Sequence, residues 1–186
     1  MSLGDLGQLN VLVVDDNRQM RNVVRAILRG LGVGAVLEAE TVTEAFFNVR
    51  RRNVDIIICD WALNPGSGID FVQRLRRDEN SPNPYLPVIM MSAYADRTRI
   101  EQARDGGVTE FLVKPITISA VMAKFVEIID RPRPFVRCES YFGPERRRRS
   151  DPNYAGPERR GVAGGTPEPA GPSEGDDEDT GETVLI

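Results

Sequence analysis

Histidine is absent from the 186-residue chain, and of its 24 basic residues only Lys114 and Lys124 are lysines. Without histidine the chain cannot be its own phosphohistidine donor or a histidine phosphotransfer module. The scarcity of lysine makes a lysine at a chemically demanding position informative. Cysteine is nearly missing too. Cys59 lies in an apolar run and Cys138 in low-complexity sequence. They read as one buried small hydrophobe and one incidental thiol, not as a disulfide framework. No stretch reaches the roughly 18 apolar residues that a membrane span needs, and no basic segment with an apolar run behind it marks a secretory signal. Together these absences point to a reducing, cytoplasmic setting.

Hydrophobic residues make up 40% of the chain but are unevenly spread. Apolar clusters recur from Val11 to Ile129 and almost stop after Asp130, where Gly, Pro, Arg, Asp and Glu take over. One folded domain over 8–130 is expected, long enough for a core of its own. A tail over 131–186 has too little apolar surface to order itself and is expected to be disordered. The net charge of −4 conceals an asymmetry. Arginines dominate between Arg131 and Arg160, whereas every charged residue from Glu168 to Glu182 is acidic. A seven-residue pattern also occurs twice in the tail, at Tyr141-Phe-Gly-Pro-Glu-Arg-Arg and Tyr154-Ala-Gly-Pro-Glu-Arg-Arg. It is either solvated chain or a docking segment whose arginines suit an anionic partner.

Val11 to Val14 is a short β-branched run, as a strand buried on both faces should be. Met20, Val23, Val24, Ile27, Leu28 and Leu31 then share one helical face, closed by Gly30, Gly32 and Gly34. Ala35 to Ala39 reads as a second strand, and Thr43 as the N-cap of a helix through Arg51. Ile56 to Cys59 is a third strand, ending in Asp60. The turn 64–68 leads into a helix carrying Ile69, Val72 and Leu75. The polar loop 79–86 precedes a fourth strand over Pro87 to Met91, followed by Ser92. A weaker helix spans about Arg97 to Asp105. Phe111 to Val113 is the fifth strand, followed by Lys114-Pro115. Ile118, Val121, Met122, Phe125, Ile128 and Ile129 mark the last helix. Five strands alternating with five helices predict an α/β fold, a (βα)5 doubly wound, five-stranded parallel sheet.

In such a sheet the functional groups gather at the carboxyl ends of the strands, beside the switch point in strand order. Those ends here carry Asp15 and Asp16, Asp60, Ser92 and Lys114. Each alone could be an ordinary helix cap; the fold brings them to one edge. Three converging carboxylates need positive compensation. Mg²⁺ suits a few carboxylates, retained waters and phosphate oxygens, and Lys114 adds a second positive charge. With the Ser92 hydroxyl, the set is what in-line phosphoryl transfer to a carboxylate requires.

The runs Val-Val-Asp-Asp, Ile-Ile-Cys-Asp-Trp, Met-Met-Ser-Ala and Phe-Leu-Val-Lys-Pro resemble, in order and spacing, the receiver domain of bacterial two-component response regulators. The resemblance covers about 8–130 and implies the flavodoxin-like, receiver type of sheet. It implies that Asp60 is the phosphoacceptor, that Asp16 holds Mg²⁺ directly and Asp15 through water, and that Ala62 offers its backbone carbonyl. Ser92 would be the hydroxyl that moves toward the phosphoryl group, Lys114 its ammonium contact, and Pro115 a cis-proline. Phe111 matches the aromatic that family members swing inward on activation, here without a tyrosine hydroxyl. Trp61 and Tyr94 are bulky neighbours that either cover surface or restrict access of water and donor.

The implied function is phosphorelay signalling by a stand-alone receiver. It would take its phosphoryl group from a sensor histidine kinase or a histidine phosphotransfer protein and act through an output protein that the sequence does not name. Neither a DNA-binding domain nor an enzymatic output domain is expected. Two other readings remain open at this point. One is a binding protein whose function lies in the Arg-rich tail. The other is an aspartyl-nucleophile phosphatase, against which stands the first strand's end, Asp15-Asp16-Asn17-Arg18, in place of an Asp-x-Asp loop.

Overall fold

A computed structural model describes residues 3–138 and 141–146. After a 3₁₀ turn at Leu3–Gln8, strands and helices alternate. They are β1 (Asn10–Val14), α1 (Arg18–Gly30), β2 (Ala35–Ala39), α2 (Val42–Arg51), β3 (Ile56–Asp60) and α3 (Gly68–Arg77). β4 (Val88–Ser92), α4 (Arg97–Asp105), β5 (Glu110–Val113) and α5 (Ile118–Ile129) complete the alternation. The five strands form one parallel sheet in the order β2-β1-β3-β4-β5. The strand order reverses at β1, so the crevice between the carboxyl ends of β1 and β3 is the switch point.

The central strands β1, β3 and β4 are almost wholly apolar and buried because both faces are covered, whereas the edge strands β2 and β5 carry Glu38 and Glu110; alternate residues serve opposite layers. Leu12, Val14, Ile57, Cys59, Val88 and Met90 face the layer that holds Val49, Phe71, Val72 and Leu75 from α2 and α3. Val11, Val13, Ile56, Ile58, Ile89 and Met91 face Val24 and Leu28 of α1 and Val121 and Phe125 of α5. Each helix opens at a residue whose side chain accepts a first-turn N–H: Asn17, Thr41, Ser67, Asp96 and Thr117. The α2 cap is Thr41 and not the expected Thr43, which lies within the first turn. Thr41 accepts from Glu44 N at 3.2 Å, and the Glu44 carboxylate accepts from Glu40 N at 2.8 Å. The two bonds, on Thr41 Oγ1 and on Glu40 N, stabilise the earlier start.

Both expected domain edges shift outward. Leu6 is buried, and its carbonyl accepts from Leu9 N and Gly34 N. At the other end, the expected disorder from 131 onward does not hold for the first segment beyond α5. Strands β6 (Phe135–Cys138) and β7 (Tyr141–Pro144) pair as an antiparallel hairpin. Phe135, Phe142 and Tyr85 meet with ring centroids 5.2–5.7 Å apart. Tyr141 donates its hydroxyl to Pro144 O at 2.6 Å, and Arg146 reaches Asp105 at 3.5 Å. A side chain at Gly143 would place its Cβ 2.8 Å from Gly107 Cα, so this close approach requires glycine.

Arg76 anchors the same corner. It is almost fully buried and donates to the carbonyls of Gly107, Pro84 and Leu86 at 3.0, 2.6 and 2.7 Å. Its guanidinium also lies over the Phe135 ring. Burial pushes its pKa down to about 9. The first Tyr-x-Gly-Pro-Glu-Arg-Arg copy is thus packed on the domain up to Arg146, while its last arginine and the second copy lie outside the described residues.

Candidate functional site

Four strand ends deliver the side chains. β1 stops at Val14, and Asp15 N donates to Ala39 O, which carries the chain past the sheet edge. The Asp15 carboxylate is fully buried and accepts from Asn17 N at 2.8 Å. Its carbonyl accepts from Arg21 Nη1 at 2.7 Å, and Arg21 is held in turn by Glu38 and Glu40. Asp60 ends β3 and is buried. The loop after it folds back tightly, with Gly68 N bonded to Trp61 O at 2.9 Å. A Cβ at Gly68 would lie 2.0 Å from Asp60 O, so glycine is what allows α3 to start against the strand end. Ser92 ends β4, buried, and its carbonyl accepts from Lys114 N at 2.8 Å, tying the ends of β4 and β5 together.

The side chains converge. Oxygens of Asp15, Asp16 and Asp60 lie within 4.8 Å of one another. Lys114 Nζ is 2.8 Å from Asp60 Oδ1 and 3.5 Å from Asp15 Oδ2. Burial raises the pKa of Asp15 and the charge of Asp60 adds to that, while the Asn17 N–H and Lys114 work in the opposite direction. For Lys114 burial pulls downward, but the hydrogen bond and charge of Asp60, with those of Asp15, outweigh it and leave the ammonium with a raised pKa. Cys59, beside Asp60 in sequence, is pushed up by burial and by both carboxylates, so it stays a thiol.

The donor set fits a hard divalent cation: carboxylate oxygens only, two residues buried and one partly open to solvent. Lys114 neutralises part of the negative charge, and the partly exposed Asp16 leaves room for retained water.

Of the residues singled out from sequence, Asp15, Asp16, Asp60 and Lys114 meet directly. Ser92 stands at the adjoining strand end, where its Oγ accepts from Tyr94 N at 3.1 Å and from Arg99 Nη1 at 3.2 Å. Ala62 is exposed on the loop after Asp60. The Lys114–Pro115 peptide is cis, as is Asn64–Pro65. Phe111 is half-buried, its ring 6.5 Å from that of Trp61. Sequence reading missed two participants. Gly68 was legible only as a turn residue, and its close approach depends on the packing of α3 against β3. Arg99 carries no distinguishing mark in a chain this rich in arginine, and only the placement of α4 brings it to Ser92.

Comparison with known proteins gives a consistent picture. The pattern described as "Response regulator receiver domain" matches residues 11–126. The chain is 34% identical over 123 residues to the chemotaxis protein CheY of Pseudomonas aeruginosa, covering 66% of this chain and 98% of that protein. It is 33% identical over the same length to CheY-3 of Vibrio cholerae, covering 66% and 93% respectively. Among solved structures, Vibrio cholerae chemotaxis protein CheY4 superposes with a TM-score of 0.60 at 25% identity, over 65% of this chain and 98% of that one.

Proposed function

The chain belongs to the response regulator receiver family, and from that premise we propose that Asp60 accepts a phosphoryl group and that the protein works as a signalling switch. The observation that carries this reading is the 2.8 Å contact between Lys114 Nζ and Asp60 Oδ1 within a cluster of three carboxylates. The ammonium beside Asp60 offsets the mutual repulsion of the clustered carboxylates. In the transfer, an Asp60 oxygen attacks phosphorus in line while the bond from phosphorus to the donor's nitrogen breaks. Lys114 moves from pairing with the carboxylate to pairing with a phosphoryl oxygen, so one cation serves both states. The Ser92 hydroxyl donates to a second phosphoryl oxygen.

Asp15, Asp16 and Asp60, with the Ala62 carbonyl, would hold Mg²⁺. When bound, the ion supplies charge neutralisation at the phosphoryl oxygens. Asp15 is oriented for that role by Asn17 N and, through its carbonyl, by Arg21. The donor is a sensor histidine kinase or a phosphotransfer protein, since this chain has no histidine. Output then passes through protein contacts, not through turnover of a substrate.

The test uses acetyl phosphate and Mg²⁺ with the full chain, read by intact-mass spectrometry. One added phosphoryl group is expected in the wild type and none in Asp60→Asn. Undiminished labelling of Asp60→Asn removes Asp60 from the acceptor role.

A further inference from the structure

Arg99 sits in the first turn of α4, and its guanidinium engages three groups around the Asp60 site. Nη1 donates to Ser92 Oγ at 3.2 Å. The guanidinium carbon lies 5.4 Å from the Trp61 ring centroid and 4.9 Å from that of Tyr94. On its other side Nε is 3.7 Å from Asp96, the α4 cap. Trp61 directly follows Asp60, and Tyr94 follows Ser92 by two residues. One side chain from α4 therefore bridges the ends of β3 and β4. The other arginines of α4 behave differently: Arg97 and Arg104 pair with Glu101 and Asp105 on their own helix.

Resting on the phosphoacceptor reading of Asp60, we propose that Arg99 is a positioning residue that prolongs the life of the aspartyl phosphate, acting through Ser92 and the rings of Trp61 and Tyr94. A serine hydroxyl has two acceptor lone pairs and one proton to give. Here Tyr94 N and Arg99 Nη1 occupy the acceptor side of Ser92 Oγ, which leaves the proton as its unused function. Arg99 thus holds Ser92 as a donor, the form that an anionic phosphoryl oxygen needs. The second action is steric. Tyr94 is 64% exposed, and a planar guanidinium against both it and Trp61 supplies a cation–π attraction that restrains the two rings beside the strand ends carrying Asp60 and Ser92. Loss of the phosphoryl group requires water to reach phosphorus. The water oxygen bonds to phosphorus and the bond from phosphorus to the Asp60 oxygen breaks. Asp60 returns to carboxylate, and the water protons pass to the phosphate product and to bulk solvent. Bulky rings restrained beside Asp60 and an aligned Ser92 donor both disfavour that event.

The experiment labels the full chain with radiolabelled acetyl phosphate and Mg²⁺, removes the donor, and follows the decay of bound label in wild type, Arg99→Ala and Arg99→Gln. Decay should accelerate by about fivefold or more in Arg99→Ala. It should quicken less in Arg99→Gln, which keeps a donor for Ser92 without the charge. Millimolar guanidinium should slow the decay of Arg99→Ala toward the wild-type rate, a rescue that a generally loosened fold would not show. Trp61 is the single tryptophan, so its emission in unlabelled, metal-free protein should change in Arg99→Ala. A protein that takes no label in any form overturns the acceptor reading and this proposal with it. Labelled variants that decay at or below the wild-type rate, or that guanidinium does not rescue, overturn the proposal and leave the acceptor reading standing.

Discussion

Asp15 is the most heavily desolvated carboxylate of the site, and its electrostatics set a pH dependence. Its folded pKa is raised above the ordinary value of 3.8, so the native state holds this proton more tightly than the unfolded chain does. Stability from this group is full below 3.8 and is lost as pH rises from there through the raised value. In Mg²⁺-free protein, Asp15→Asn should therefore raise the melting temperature at neutral pH. Added Mg²⁺ should stabilise the wild type and have little effect on the variant. Calorimetry with and without the ion checks both; a variant less stable than wild type at neutral pH without Mg²⁺ contradicts the sign. Lys114 makes a separate demand. Lys114→Arg keeps the charge but replaces a compact ammonium by a planar fork between two buried carboxylates. Labelling by acetyl phosphate should slow about tenfold, equivalent to ~1.4 kcal/mol of barrier. A rate equal to wild type would show that charge alone suffices.

The β6–β7 hairpin turns the first motif copy into part of the fold. Phe142 fills the gap between Tyr85 and Phe135, and Arg76 satisfies three carbonyls beneath them. Phe142→Ala should destabilise the protein by up to about 3 kcal/mol, the lower end for a large aromatic truncated in a packed cluster. Truncation after 130 should lower the melting temperature, because it strips Phe135, Tyr141 and Phe142 from Arg76 and leaves a buried guanidinium with one face bare. Truncation after 146 keeps those contacts and should melt close to the full chain. Thermal unfolding of the three lengths checks this, and equal stability of the shortest would mean that the hairpin adds nothing to the domain.

Across the molecule, chemistry and hairpin occupy opposite ends of the sheet. Asp15, Asp60, Ser92 and Lys114 lie at the carboxyl ends of the strands, whereas Gly107, Thr109 and Leu86, which meet Arg76, Arg133 and the hairpin, precede β4 and β5. In the first copy, Arg146 is engaged with Asp105 and the Tyr141 ring. If the tail has an anionic partner, Arg147, Arg159 and Arg160 of the two motif copies are candidates to meet it. Their triple replacement by Ala should weaken that binding and flatten its salt dependence, since such contacts are screened by ions. Labelling at Asp60 should be unaffected. Binding in wild type that is insensitive to salt would point to a non-ionic contact instead.

The sheet was legible in the sequence because short apolar runs, bounded by turn residues and alternating with helical periodicity, read as strands of a covered sheet. A parallel sheet built from them must then bring the residues after each run to one edge. That logic alone places Asp15, Asp60, Ser92 and Lys114 at one edge, where the structure has them. Tertiary structure alone decided the rest. Gly68 matters through a backbone approach of α3 to Asp60, Arg99 through the placement of a polar helix that periodicity barely marks, and Thr41 through its acceptance of the Glu44 N–H. The hairpin was read as solvated tail because its few aromatics are too sparse to hold a core by themselves; they order only against Tyr85, Arg76 and Gly107, which lie far away in the chain and near in space. Local pattern determines which segments are buried and how they alternate, whereas contacts made by isolated polar or glycine residues depend on surfaces that exist only after the sheet has formed.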